Sequence, residues 1–205
     1  MILRALVPCF VVAAIAACSV VPRPSSAPRA VYVLEVPLAA GAGAPSGAGV
    51  VAIAPPSASP GYRSSAMIYQ RGENQLEPFA YHAWAEPPAA MLAPGLVVAL
   101  EATGAYAAVT RDPARSHSDW RLDTEVTRFR QEFPDGGPSR VRVAVRAQIV
   151  ETATSRVLDA RTIEVEEAAE AATPEAGVAA MQRAWLRILS DIASYCVEAT
   201  EDSAR

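Results

Sequence analysis

The chain has 205 residues, 51% of them hydrophobic and 20% charged, with a formal net charge of −4. That length suits one medium domain with a tether and is enough to bury a sizeable core. The mildly acidic balance gives no support for a nucleic-acid binder, which needs a clustered basic face.

In chain order, the first element is a signal sequence over residues 1–17. Arg4 is its one cation, and an uncharged apolar run follows from Ala5 to Ala17. A charged start, a short apolar core and a small-residue end read as a signal peptide, not a membrane span, and about 20 apolar residues are needed to cross a bilayer. Ile15-Ala16-Ala17-Cys18 resembles the lipobox of bacterial lipoproteins. That resemblance implies cleavage before Cys18, a diacylglycerol on its thiol and an acyl chain such as palmitate on its new amino group. Several acyl chains make a stable anchor where one is marginal. No cofactor beyond this covalent lipid is expected. Ser19 follows the cysteine in place of aspartate, which by lipoprotein sorting rules implies the outer membrane. Residues 18–30 are the lipidated cysteine and a Pro/Ser-rich tether, too poor in apolar surface to fold.

The domain is expected over residues 31–198, with 199–205 as a polar tail. Val31-Tyr32-Val33-Leu34-Glu35-Val36 predicts a first strand ended by Pro37, and 39–49 a Gly/Ala/Pro-rich loop. Val50-Val51-Ala52-Ile53 predicts a second strand, Ala66-Met67-Ile68-Tyr69-Gln70 a third, and residues 76–81 a fourth. A helix then follows Trp84-Ala85-Glu86-Pro87, with Met91, Leu92, Leu96 and Leu100 as its buried stripe and Gly104 as its stop. Pro94-Gly95 sits inside that span. The helix either kinks there or starts at Pro94, and the sequence leaves both open.

In the second half, Trp120, Leu122, Thr124 and Val126 alternate with charged residues, and the apolar phase then moves to Phe129 and Phe133. That predicts a strand with a bulge near Arg128. Val141, Val143, Val145, Ala147 and Ile149 alternate with arginines and Gln148, and a further strand covers about 157–165. The three predict an antiparallel meander with one polar face. Thr173 and Pro174 cap a last helix whose Val178, Met181, Trp185, Ile188, Ile192 and Tyr195 share one face. The fold class expected is α+β: a mixed, mostly antiparallel sheet with a C-terminal meander and two main helices packed on it.

Signals for chemistry are sparse. The two histidines, His82 and His117, have no second histidine at ligand spacing. Ser116-His117-Ser118-Asp119 is adjacent in sequence, whereas triads assemble in space. No phosphate-cradling or nucleophile-elbow motif occurs. Cys9 leaves with the signal and Cys18 carries lipid, so Cys196 is the one mature thiol and is expected to be packed and inert. Aromatics cluster at Phe79, Tyr81 and Trp84 and at Tyr62 and Tyr69; such residues serve as core plugs or as binding anchors.

One further pattern combines these elements: the strand ending in Pro55, Tyr62, Met67-Ile68-Tyr69, Asn74-Gln75-Leu76, Trp84-Ala85-Glu86-Pro87, then Leu92, Leu96 and Leu100. Tyr32 and Leu34 upstream, and Asp119, Leu122, Phe129 and the 141–149 strand downstream, continue it. This chain resembles the ABC-type transport auxiliary lipoproteins, the group that includes the paraquat-inducible protein C type; Pro88 and Pro94 depart from the family's usual helix. The resemblance implies a non-enzymatic, periplasm-facing accessory lipoprotein. Its expected partners are an ABC transporter permease and ATPase and an MCE-domain protein, in lipid transport between membranes. A homo-oligomer is left open. The alternatives are a cell-envelope assembly or cell-wall-binding lipoprotein without a transporter, or a secreted hydrolase. Besides the lipidation site Cys18, the partner-facing residues expected are Tyr81, Trp84, Glu86 and Pro87, in a segment read as loop or helix start.

Overall fold

The computed structural model describes residues 28–37, 47–113 and 117–203. The expected signal sequence, Cys18 and nearly all of the expected tether lie outside them. The described residues form nine strands and two α-helices. The strands are β1 (Ala30–Tyr32), β2 (Val50–Ile53), β3 (Ser57–Ala58), β4 (Ala66–Arg71), β5 (Leu76–Trp84), β6 (Ala108–Thr110), β7 (Trp120–Phe133), β8 (Arg140–Glu151) and β9 (Arg156–Ala168). The helices are α1 (Pro88–Thr103) and α2 (Pro174–Ser203). The α+β class, the mixed sheet and the meander expected from the sequence are all present.

Strand β7 organises the sheet. One of its edges pairs antiparallel with β8, from Trp120 opposite Glu151 to Glu132 opposite Arg140, and β8 pairs antiparallel with β9. Its other edge takes three short parallel partners in succession: β2 against Trp120–Leu122, β3 against Glu125–Val126, and β4 against Gln131–Phe133. The expected bulge lies between Val126 and Arg128, where Thr127 turns its hydroxyl to donate to the Ala144 carbonyl at 3.2 Å. The extra residue moves the apolar set from Leu122 and Val126 to Phe129, keeping all three on the covered face.

Both helices cover that face. In α2, Met181, Trp185, Ile188, Ile192 and Tyr195 are buried as the spacing predicts, and Val178 is half-buried. Ala180, Ala184, Leu189, Ala193 and Cys196 widen the stripe. The Thr173 hydroxyl accepts from the Ala176 N–H at 3.3 Å, which supplies the expected cap. The helix runs on to Ser203, burying Ala199 and Thr200, so the expected polar tail is mostly a final helical turn. The Thr200 hydroxyl donates back to the Cys196 carbonyl and meets the Tyr106 hydroxyl at 3.3 Å, giving a polar residue its buried partners. Burial pushes the Cys196 thiol up to about 12, the inert cysteine expected.

The structure settles where α1 begins. It starts at Pro88, and Gly104 ends it in the left-handed conformation. Pro94 lies within it, exposed, so the Ala90 carbonyl that loses its helical donor stands on the solvent side. Gly95 explains the neighbouring residue. A Cβ there would stand 2.7 Å from Leu189 Cδ1 and 3.3 Å from Val36 Cγ2, so glycine lets α1 close on α2.

Two other expectations change. The first strand is only Ala30–Tyr32. Residues 33–37 leave the sheet and cross α2, where the Glu35 N–H donates to Gln182 Oε1 at 2.9 Å and Gln182 Nε2 donates to the Glu35 carbonyl at 2.7 Å. The fourth strand runs through Trp84, so residues 81–84 are strand and not loop. Strands β3 and β6 and the 3-10 turn Pro60–Tyr62 were not anticipated; each is too short to carry a periodicity.

Candidate functional site

The segment with the expected partner-facing residues lies at one margin of the sheet. Strand β5 pairs with β4 on one side. On the other it meets only β1, in parallel, through Ala30–His82, Val31–Ala83 and Tyr32–Trp84. The β4–β5 register moves from Ile68 opposite Pro78 to Ala66 opposite Ala83, so residues 79–82 lie opposite the single residue Met67. Such an insertion re-aims side chains, and here it splits the aromatic cluster.

Trp84 faces the helices. It is 3% exposed, with its ring edge-on to Phe129 at 5.4 Å, and Phe129 in turn meets Trp185 at 6.0 Å. The expectation that Trp84 faces a partner is therefore corrected: the alternation along β5 puts it in the core. Tyr81, three residues earlier, is 56% exposed. Glu86 is exposed and Pro87 half-buried, as the turn into α1. The register sets Val31 opposite Ala83, two residues along from Tyr81, and Val31 is 61% exposed; Val33, just past the end of β1, is 58% exposed. An outermost strand with exposed apolar residues is an adhesive margin. The sequence reading counted Val31 and Val33 within a first strand and did not mark them as exposed. The adjoining proline-rich tether was the available signal, since a strand entered from solvent tends to be an edge.

On the covered side of the same margin, Tyr32 and His82 stack at 5.9 Å, and the Tyr32 hydroxyl lies 3.2 Å from His82 Nδ1. Glu175 at the start of α2 stands 4.0 Å from that nitrogen. Burial, with the Glu175 charge, raises the Tyr32 phenol above its ordinary value. The group ties β1 to α2. His117 sits apart and exposed, and the neighbouring Asp119 Oδ2 accepts from the Val50 N–H at 2.7 Å, fixing the start of β2. Among the described residues no three His, Cys, Asp or Glu side chains are placed to hold a metal ion.

The helix-free face of the meander carries a cluster of charges where Arg128, Arg130, Glu132, Arg140 and Arg142 meet Glu164 and Glu166. Its centre is Glu132, 8% exposed. Arg130 Nη2 lies 2.9 Å from it, Arg140 Nε 3.1 Å and Arg142 Nε 3.4 Å. Burial alone would raise its carboxyl, but the hydrogen bonds from Arg130 and Arg140 and the Arg142 charge outweigh that and hold it below the ordinary value. Arg130 also donates to the Tyr62 hydroxyl at 3.2 Å, and Arg142 pairs with Glu166 at 2.7 Å. Arg128 pairs with Glu164 at 2.7 Å.

No helix of the described residues is long and apolar enough to cross a membrane. A family profile described as the ABC-type transport auxiliary lipoprotein component matches residues 32–193. No curated protein matches the chain. Among solved structures, a Xanthomonas campestris protein of the DUF330 family superposes with a TM-score of 0.75 at 22% identity, covering 85% of this chain and 98% of that one. The crystal structure of an uncharacterized protein superposes with a TM-score of 0.66 at 17% identity, covering 83% and 99%. At these identities the likeness is one of fold.

Proposed function

The chain belongs to the ABC-type transport auxiliary lipoprotein component family, and from that premise we propose that it is a non-enzymatic docking subunit of a lipid-moving ABC transporter in the cell envelope. Cys18 carries the diacylglycerol and N-acyl anchor, residues 19–27 set the reach, and the domain faces the periplasm, held at the outer membrane. Its partners are the permease and ATPase of the transporter and an MCE-domain protein. The observation that supports docking best is the margin of β1 and β5, where Val31 and Tyr81 are exposed on paired strands and Val33 is exposed just past β1. Large aromatic and aliphatic side chains held on a strand are pre-ordered anchors, so binding them costs little conformational entropy.

Two measurements test this reading. Cells fed a clickable fatty acid should label the wild-type protein and leave Cys18→Ser unlabelled; equal labelling removes the anchor. The wild-type protein, purified from crosslinked envelopes, should bring the permease, the ATPase and the MCE-domain protein with it. Recovery of cell-wall polymer or assembly factors without a transporter supports the envelope-assembly alternative and rejects this one.

A further inference from the structure

A cavity of about 350 Å³ opens at one end of the charged face. That is within the size range of small-molecule sites, about 300–1,000 Å³. Arg130, Glu132 and Phe133 of β7 and Arg140 and Arg142 of β8 form one wall, Gln70 comes from β4, and Glu73 and Asp135 come from the adjoining turns.

The groups there are not equally occupied. Arg130 is taken up by Glu132 and Tyr62, and Arg142 by Glu166 and Glu132. Arg140 uses Nε on Glu132 at 3.1 Å, while its Nη1 has only a 3.6 Å contact to Glu166. Its outer N–H edge is the least satisfied donor on the wall. Glu73 and Asp135 are exposed and have no ion-pair partner among the described residues. The Gln70 amide donates to the Gly72 and Glu73 carbonyls, leaving its Oε1 without a donor. The cavity thus offers a guanidinium edge on one side and acceptors on the other. A lone anion would meet the carboxylates and a lone cation the arginines, whereas a zwitterion satisfies both.

The chain direction says what lies nearby. Strand β1 runs parallel to β5, and β5 begins at Leu76 beside Gln70. Traced backwards from Ala30 to Pro28, the chain therefore heads toward the β4–β5 turn, which contributes Gly72 and Glu73 to the cavity. Nine residues separate Pro28 from Cys18, a span of about 30 Å at full extension. With Cys18 acylated as proposed above, this end of the domain lies within that reach of a bilayer.

We propose that this cavity receives a phospholipid headgroup carrying a primary ammonium, its phosphate on Arg140 and its ammonium between Glu73 and Asp135. The proposal deepens the lipid-transport reading above and rests on it for the anchor. A guanidinium edge suits a phosphate through paired, charge-assisted hydrogen bonds. The ammonium has three N–H donors for the carboxylates. A quaternary choline has none and is recognised by aromatic cages, and here the one aromatic wall is Phe133.

The test is calorimetric titration of the full-length acylated protein in nonionic micelles with glycerophosphoethanolamine, glycerophosphocholine and inorganic phosphate. The ethanolamine compound should bind about tenfold more tightly than the other two, and Arg140→Gln should weaken it by about tenfold. Glu73→Gln with Asp135→Asn, both on exposed turns, should erase the preference while phosphate affinity and near-UV circular dichroism stay unchanged. Equal binding of phosphate would reduce the cavity to an anion site and overturn the proposal. Equal binding of the choline compound, no binding by the wild type, or a preference that survives the double substitution would also overturn it. None of these readouts depends on transporter capture, so failure here leaves the docking reading to its own test.

Discussion

The two halves of the domain bury their cores by different means. In the C-terminal half, three long strands and one thirty-residue helix meet face to face. Each element carries a repeat that matches its own geometry: two residues on the strands and about 3.6 on the helix. In the N-terminal half, strands of two to six residues attach one after another to the free edge of β7 in parallel. They add little hydrogen bonding apiece and depend on β7 for their register. The contrast teaches that the meander and α2 form the framework, while the preceding segments are fitted to it and carry the surface that varies in aim: a re-aimed β5, an exposed Tyr81, and a strap across α2.

Three substitutions test that contrast. The largest effect is expected at Trp185, which is fully buried at the centre of the α2 stripe and meets Phe129 edge to face. Trp185→Ala should cost about 4 kcal/mol in a urea titration; a loss below about 1 kcal/mol would mean that α2 is not the framework's core. Trp84→Ala should cost about 3 kcal/mol, because Trp84 is the aromatic by which β5 reaches the same Phe129. A neutral result would return Trp84 to the list of partner contacts and undo the division drawn here.

A smaller effect is expected at Glu132. Glu132→Gln should cost about 1–2 kcal/mol at neutral pH by leaving three arginines without their shared carboxylate. Because the folded carboxyl lies below its ordinary value, its stabilisation is present above about pH 4.3 and is lost as pH falls through the folded value. The wild type should therefore lose stability on acidification more steeply than the variant. Parallel acid limbs in the two denaturation profiles would show that the charged face stabilises nothing.

The framework was legible in the sequence for the reason it is stable. Val141 to Ile149 sit between two strands under a helix, so Val141, Val143, Val145, Ala147 and Ile149 are buried in turn, and only Ala144 on the other face departs from the alternation. The bulge near Arg128 was visible because it displaces the Leu122–Val126 alternation of β7 by one residue. The fitted half was less so. The strand at residues 31–36 read correctly as apolar, yet only Ala30–Tyr32 pairs, since Glu35 finds a better partner in Gln182 than in the sheet. Trp84 and Tyr81 looked alike in sequence; the register shift between β4 and β5, which leaves residues 79–82 opposite Met67, is a property of the strand pairing that no periodicity reports. The Glu132 cluster was hidden for a different reason: its members come from three strands, and each alone reads as an ordinary exposed charge.

The central claim is that the β1–β5 margin docks the transporter while the framework beneath it only supports the margin. The most direct measurement compares crosslinked-envelope purification of the full-length wild type, Tyr81→Ser and Trp84→Ala, with melting temperatures taken on the same preparations. The account predicts that Tyr81→Ser melts within about 2 °C of wild type yet recovers about tenfold less permease, and that Trp84→Ala loses permease only in proportion to its lost stability. Full recovery of the permease by a normally folded Tyr81→Ser variant would contradict the claim.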